Sequence, residues 1–250
     1  MAVVVSIAGC AATDATPPDD SRDPLEGFNR GMFAVHETVD TLIIRPAAVA
    51  WRDLVPEIIR TAVNNFLNYL RTPVILANDL LQGEWKRAGD TVERFAWNTL
   101  ALGLVDMAHP QIPFHNEDFG QTLGVWGVSD EPYLVIPGLG PSNPRDAIGR
   151  VVDFFLDPIY WLTQGMQWDG PEATNVVRFV TFREELLPVT DDIARTSLDP
   201  YTTYREYYRQ RRADEIKNRP VQARPQGSRS SSDVFKSFFS QAKEPAETAK

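Results

Sequence analysis

The sequence predicts an all-α protein, often interrupted and carrying at most one short hairpin. Three observations point there. Apolar residues recur at helical spacing in long windows, as stripes two residues wide. The 19 prolines among 250 residues exceed the usual ~5%, so elements are expected to be short or broken. The β-prone pieces, Val125-Trp126 and Tyr133-Leu134-Val135-Ile136, are too short for a sheet.

From Glu57, the stripe Ile58, Ile59, Ala62, Val63, Phe66, Leu67 and Leu70 predicts a helix that Thr72-Pro73 ends. A separate short apolar piece, Val74 to Leu81, stops near Gly83. Trp85, Ala88, Val92, Phe95, Ala96, Thr99 and Leu100 form the second long stripe, broken by the Gly/Pro/His-rich stretch 103–117. Residues 122–137 read as loop or hairpin, and 138–144 as a turn. Ser142 or Asn143 can then cap a helix with Pro144 in its first position, running to Leu156 before Pro158. Helical patterns follow over 172–187 and 199–217, the latter opened by Asp199-Pro200. Tyr201, Tyr204 and Tyr208 line one face of that last helix, beside Arg205, Arg209 and Arg212. The body therefore spans 23–217. Residues 218–250 read as a disordered tail rich in Arg, Pro, Gly and Ser, with a short apolar cluster at Val234, Phe235, Phe238 and Phe239.

The first ten residues end an apolar run in Ile7-Ala8-Gly9-Cys10, a branched residue, two small ones and the only Cys. That is a lipobox, in which the Cys10 thiol takes a diacylglycerol. The run is short and no Lys or Arg precedes it, the expectation for a truncated signal sequence. Ala11 in place of Asp permits delivery to an outer membrane, and residues 11–22 make a polar tether. Beyond this run there is no stretch of ~18 apolar residues to span a bilayer. The 25 Lys+Arg against 34 Asp+Glu give a net charge of −9, which disfavours nucleic acid as a partner and electrostatic docking on anionic lipid. A single Cys excludes an intramolecular disulfide and any Cys-cluster metal site.

Motifs for catalysis are missing. Gly138-Leu139-Gly140-Pro141-Ser142 is not a nucleophile elbow, and its glycines read as turn residues rather than a dinucleotide loop. Three histidines, His36, His109 and His115, are too few for a convincing zinc site, and His115-Asn116-Glu117-Asp118 reads as a solvated loop. Glu184-Glu185 and Asp191-Asp192 read as solvated helix faces. No catalytic residue, metal or cofactor is assigned. The helix from Arg145 is more suggestive. Asp146, Arg150, Asp153 and Asp157 recur at i, i+4, i+7 and i+11, with Ile148, Val151, Val152 and Phe155 on the remaining face. This is either an ordinary surface helix or one whose apolar side meets lipid while Arg145, Asp146, Arg150, Asp153 and Asp157 line a wet channel.

A set of short blocks carries a resemblance. Asp23-Pro24-Leu25-Glu26-Gly27-Phe28-Asn29-Arg30 is followed by Arg45-Pro46, Asn65-Phe66-Leu67-Asn68 and Asn78-Asp79-Leu80-Leu81-Gln82-Gly83. Arg94-Phe95, Asn98-Thr99 and Asp118-Phe119-Gly120-Gln121-Thr122-Leu123-Gly124 come next, then Pro132-Tyr133, Gly140-Pro141-Ser142, Arg145-Asp146, Gly149 and Asp157-Pro158. In this order, behind a lipobox, the chain resembles the MlaA/VacJ family of outer-membrane lipoproteins. It departs from them at Leu100 to Val105, which keeps only Gly103, at Glu131 and at His36-Glu37. The resemblance implies a ring of amphipathic helices in the inner leaflet of the outer membrane, on its periplasmic side, with a central polar channel. It implies removal of phospholipid misplaced in the outer leaflet, with a trimeric porin and a periplasmic lipid-carrier protein as partners. Two other functions stay open: a porin-associated structural adaptor, or a lipoprotein phospholipase built from His109 or His115 with Ser129 or Ser142.

Overall fold

The computed structural model describes residues 23–162 and 170–218. Cys10 with its lipobox, the tether over 11–22 and the apolar cluster at 234–239 lie outside the described residues. The regular elements of the described chain are helices and one two-stranded hairpin.

Helix α1 (Glu26–Val39) runs through a π-helical turn (Asp40–Ile44) into α2 (Arg45–Leu54). Arg183 clamps that turn, donating from Nε and Nη2 to the two carboxylate oxygens of Asp40 at 2.7 Å each. Next comes α3 (Glu57–Gln82), which does not stop at Pro73 as the sequence predicts. Proline removes one N–H and leaves one carbonyl unpaired. That cost is outweighed here because the continuation buries Val74, Ile75, Asn78 and Asp79. The helix ends instead at Gly83, whose φ of +77° closes the last turn in a left-handed cap. Helix α4 (Trp85–Thr99) returns antiparallel along α3, joined to it by Thr91 Oγ1 to Asp79 (2.6 Å) and by Tyr69 to Thr99 (3.2 Å).

Helix α5 (Phe119–Val125) takes four residues that the sequence assigns to loop or hairpin. Its start signal is Asp118, whose side chain accepts from Gln121 N at 2.8 Å. The hairpin pairs β1 (Leu134–Ile136) with β2 (Gly140–Ser142), Leu134 opposite Ser142. The second strand thus falls inside the segment expected to be a turn, of which Gly138 and Leu139 remain, with Pro137, as the connection. Asn143 caps α6 (Pro144–Leu156) by accepting from Asp146 N at 2.7 Å. The short α7 (Pro158–Leu162) follows. Helix α8 (Gly170–Thr196) is longer than its apolar pattern suggests and carries Pro188 inside, and the Thr190 hydroxyl donates to the Leu186 and Leu187 carbonyls around it. Helix α9 (Pro200–Ile216) completes the described chain. Contacts close a circuit from α3 to α8, α9, α5 and back to α3, with α6 packed on α5.

The partition of residues is inverted relative to a water-soluble globule. Among the described residues 34 large apolar side chains are exposed, including Leu42, Ile43, Leu54, Ile58, Trp85, Leu100 and Leu102. Only 13 apolar residues are buried, against 18 polar or charged ones. Among the described residues an aromatic core joins Phe33, Tyr133, Val135 and Tyr201, with Met32, Tyr204 and Tyr208 packed on it. Elsewhere hydrogen bonds and ion pairs join the helices alongside smaller apolar contacts, such as Tyr69 stacked on Phe95 between α3 and α4.

Candidate functional site

The polar interior is built on α3. Residues Arg60, Asn64, Leu67, Arg71, Val74 and Asn78 recur every three or four positions and so share one face. At one end that face meets α8: Arg60 pairs with Glu184 at 2.7 Å and Asn64 Nδ2 donates to Glu185 at 3.0 Å. These acidic residues, and Asp191 with Arg45 at 3.0 Å, are therefore paired rather than a free solvated face. At the other end the face meets α5 and α6: Asn78 Nδ2 donates to Asp153 at 3.2 Å, and the Thr122 hydroxyl donates to Asn78 Oδ1 at 2.8 Å.

Three clusters of ionic and polar contacts fix the surrounding helices. The first centres on Asp79. It accepts from Thr91 at 2.6 Å and meets His115 Nε2 at 3.1 Å, while Arg87 pairs with Glu117 and Gln82 donates to Glu117 at 2.9 Å. Residues His115 and Glu117, expected in a solvated loop, are instead tied into the interior, with Glu117 only 1% exposed. Burial raises the Glu117 carboxyl above its usual range. Among the described residues no group of three or more His, Cys, Asp or Glu could hold a metal ion.

The second centres on Arg212 of α9. It pairs with Asp146 at 2.8 Å and with both oxygens of Asp118 at 2.8 and 2.9 Å. Tyr208 also donates to Asp146, and Asn143 Nδ2 donates to the Tyr208 hydroxyl at 2.9 Å. Burial opposes ionisation of Asp118 and Asp146, yet the Arg212 charge outweighs it and holds both carboxyls below their usual range. Here α5 and α6 cross so closely that a Cβ on Gly149 would lie 2.3 Å from Gly120 N, which only glycine allows. The third centres on Asp23, which takes hydrogen bonds from Asn29 Nδ2 (3.0 Å), the Tyr201 hydroxyl and Arg205 Nη1 (3.1 Å). Asn29 in turn holds the hairpin, donating to Tyr133 O at 2.9 Å and accepting from Val135 N at 3.1 Å.

The five polar residues expected along α6 do not share one environment. Arg145 and Asp146 are buried and paired with each other at 3.0 Å. Arg150 is exposed. Asp153 accepts from Phe119 N at 3.1 Å at the start of α5, and burial together with the Asp118 charge pushes it up to about 6. Asp157 pairs with Arg178 of α8 at 3.1 Å. None of the five lines the cavity of about 80 Å³ between α3, α4 and the following loop, which is walled by Asn68, Thr72, Thr91, Arg94, Asn98 and His115 among others. Of the serines weighed for a hydrolase, the Ser129 Oγ accepts from Glu131 N and the buried Ser142 Oγ donates to Asn143 O.

A family profile described as MlaA lipoprotein matches residues 21–215. The chain belongs to the MlaA lipoprotein family. The MlaA match begins just ahead of Asp23 and runs past Arg212, so it contains all three clusters. An Escherichia coli relative named intermembrane phospholipid transport system lipoprotein MlaA is 36% identical over 212 residues, covering 82% of each chain. A relative of the same name from Haemophilus influenzae is 33% identical, covering 82% of this chain and 84% of its own. An uncharacterised Rickettsia felis protein is 33% identical over 73% of each. A structure solved in work on the structural basis for maintenance of bacterial outer membrane lipid asymmetry superposes with a TM-score of 0.66 at 38% identity, covering 78% of this chain and 98% of its own.

Sequence reasoning missed Arg71, Asn78, Asp79, Arg94, Arg178 and Thr181 as interior groups. Stopping α3 at Pro73 separated Arg71 from Asn78. Had the polar periodicity from Arg60 been carried across the proline, both would have fallen on one face.

Proposed function

We propose that this MlaA-family chain moves phospholipid out of the outer leaflet of the outer membrane and so maintains lipid asymmetry there. The observation that carries this reading is the inverted partition: 34 exposed large apolar side chains around an interior with 18 buried polar or charged residues. An apolar exterior of this extent belongs in hydrocarbon. Helices suit that setting because they satisfy their own backbone groups. Among the described residues no helix is long and apolar enough to cross a membrane, which fits a body lying in one leaflet.

The energetics demand such a device. A phospholipid with roughly 30 chain methylenes at ~0.8 kcal/mol each costs on the order of 24 kcal/mol to place in water. Headgroups cross hydrocarbon only at high cost. A hydrated interior within an apolar rim meets both demands. In this reading Asp153, Asp157 and Arg150 face the passage, and Arg145 and Asp146 form its fixed wall. Acyl chains on Cys10 hold the body to the periplasmic face of the outer membrane, a trimeric porin seats it, and a periplasmic carrier receives the lipid.

The test is outer-leaflet phospholipid in cells lacking this chain, complemented with the parent or with Cys10→Ser. Accumulation without the chain, cleared by the parent and not by the variant, is expected. Unchanged surface phospholipid in the deletion overturns the proposal. A variant that still binds porin yet no longer clears lipid separates transport from the adaptor function.

A further inference from the structure

The interior contains cationic groups that the clusters above do not use. Arg71 sits on the inner face of α3, one turn beyond Leu67 and two before Asn78. Among the described residues it makes no hydrogen bond or ion pair, although it is partly buried. Helix α8 runs antiparallel to this face, as the pairs Arg60–Glu184 and Asn64–Glu185 show. Stepping back along α8 from Glu185, Thr181 and Arg178 fall on the same face, at four and seven residues. The Thr181 hydroxyl is unpartnered in a residue only 5% exposed. Arg178 spends Nη1 on Asp157 at 3.1 Å, but its buried Nε and Nη2 have no acceptor among the described residues. From the Asn64–Glu185 contact Arg71 lies seven residues on along α3 and Arg178 seven back along α8, which sets the two cations opposite each other; burial first, then the Arg178 charge, lowers the Arg71 guanidinium below its usual range.

Like charges are seldom left together with orphaned donors in a protein interior. The neighbouring carboxylates are otherwise engaged. Asp118 is held by Arg212, Asp157 by the other edge of Arg178, and Asp153 by Asn78 and Phe119 N. What the free edges lack is an oxyanion with several acceptor lone pairs. Guanidinium forks match a phosphate in that geometry, and a threonine hydroxyl adds a third donor.

We propose that Arg71, Arg178 and Thr181, facing one another across α3 and α8, bind a phosphate group. The inference rests on the transport reading for one source of that group, the headgroup of a phospholipid in passage; free inorganic phosphate is the other. Arg71 supplies an unshared fork, Arg178 its free Nε–Nη2 edge, and Thr181 its hydroxyl. Without an anion the two cations repel, so the empty site costs stability that occupancy restores.

The test uses the full-length lipoprotein in a non-ionic detergent, followed by its thermal transition and by 31P NMR. Three probes are titrated at constant ionic strength: inorganic phosphate, dihexanoylphosphatidylglycerol, and dihexanoylglycerol, which lacks the phosphate. Protection of the parent by about 5 °C at saturating phosphate or phospholipid, and none with dihexanoylglycerol, is expected. Protection by the phospholipid alone assigns the site to headgroups, and equal protection by both assigns it to any accessible phosphate. Arg71→Gln, which breaks no bond, should melt higher than the parent in chloride and lose the protection. Arg178→Gln and Thr181→Val should weaken binding by about tenfold or more. Arg195→Gln, at a 77% exposed side chain, should behave as the parent. A parent with no phosphate-dependent shift, or an Arg71→Gln variant that keeps the full shift, overturns the inference. Lipid clearance in cells is read separately, so loss of clearance with intact phosphate binding would count against the transport reading alone.

Discussion

Replacing Asp153 by Asn should stabilise the protein at neutral pH, against the usual effect of removing an interior charge. Asp153 is hemmed in by burial and by the Asp118 charge, which push its carboxyl from 3.8 up to about 6. The folded state therefore binds a proton more tightly than the unfolded chain. The stability this brings is fully present below the unfolded value near 3.8 and is lost as pH rises through about 6. A difference of about two pH units at ~1.4 kcal/mol each gives about 3 kcal/mol. Asn has no such charge to ionise, and its carbonyl can still accept from Phe119 N, which Asp153 now does at 3.1 Å. The amide is an imperfect stand-in for the protonated carboxyl, which takes back about 1 kcal/mol. The variant should thus exceed the parent by about 1–3 kcal/mol at pH 7.5, or several degrees in melting temperature, and match it near pH 4. Other titrating groups, such as His36, held low by burial, cancel in the difference between variant and parent. Circular dichroism melts of both proteins from pH 4 to pH 8 measure this. A difference that does not change with pH, or a variant less stable than the parent at pH 7.5, would refute the account of Asp153.

The other carboxylate on this face of α6 should respond oppositely. Asp146→Lys takes from Arg145 its carboxylate partner and from Arg212 one of its two, sets a third cation beside them and should cost about 3–5 kcal/mol, read as a lower urea midpoint. Gly149→Ala drives a methyl into the Gly120 backbone and should cost about 1–3 kcal/mol, whereas Gly89→Ala, where a Cβ meets nothing within 4 Å, should gain about 0.5–1 kcal/mol; one thermal melt of each compares them. Asn29→Leu strands Tyr133 O and Val135 N and should lower stability by about 1–3 kcal/mol, with hydrogen exchange speeding first in the hairpin. Leu54→Glu with Ile58→Glu, at positions 80% and 79% exposed, should reduce co-sedimentation with phospholipid vesicles without shifting the melt.

Helical class and the strongest elements were legible because amphipathic periodicity survives in one sequence. The stripe from Trp85 became α4, and the Asn143-Pro144 and Asp199-Pro200 starts became α6 and α9. Local signals failed where distant contacts decide. Pro73 and Pro188 lie within helices because partners on both sides repay the broken hydrogen bonds. The second strand of the hairpin, Gly140–Ser142, has a turn-like composition and owes its state to Leu134, Val135 and Ile136 opposite. At the site, the i, i+4, i+7 spacing on α6 found Asp146 and Asp153, but spacing cannot tell a paired carboxylate from a strained one. That depends on Arg212, 66 residues from Asp146 in the chain.

Helix α9 has a consequence for biogenesis. It fastens both ends of the fold, reaching Asp23 through Tyr201 and Arg205, across 178 and 182 residues, and Asp118 and Asp146 through Arg212. These latches are synthesised after every other helix of the described body. Until then the nascent body cannot shut, so a chain cut short before Tyr201 should keep its apolar segments open and be cut by protease faster than the full chain.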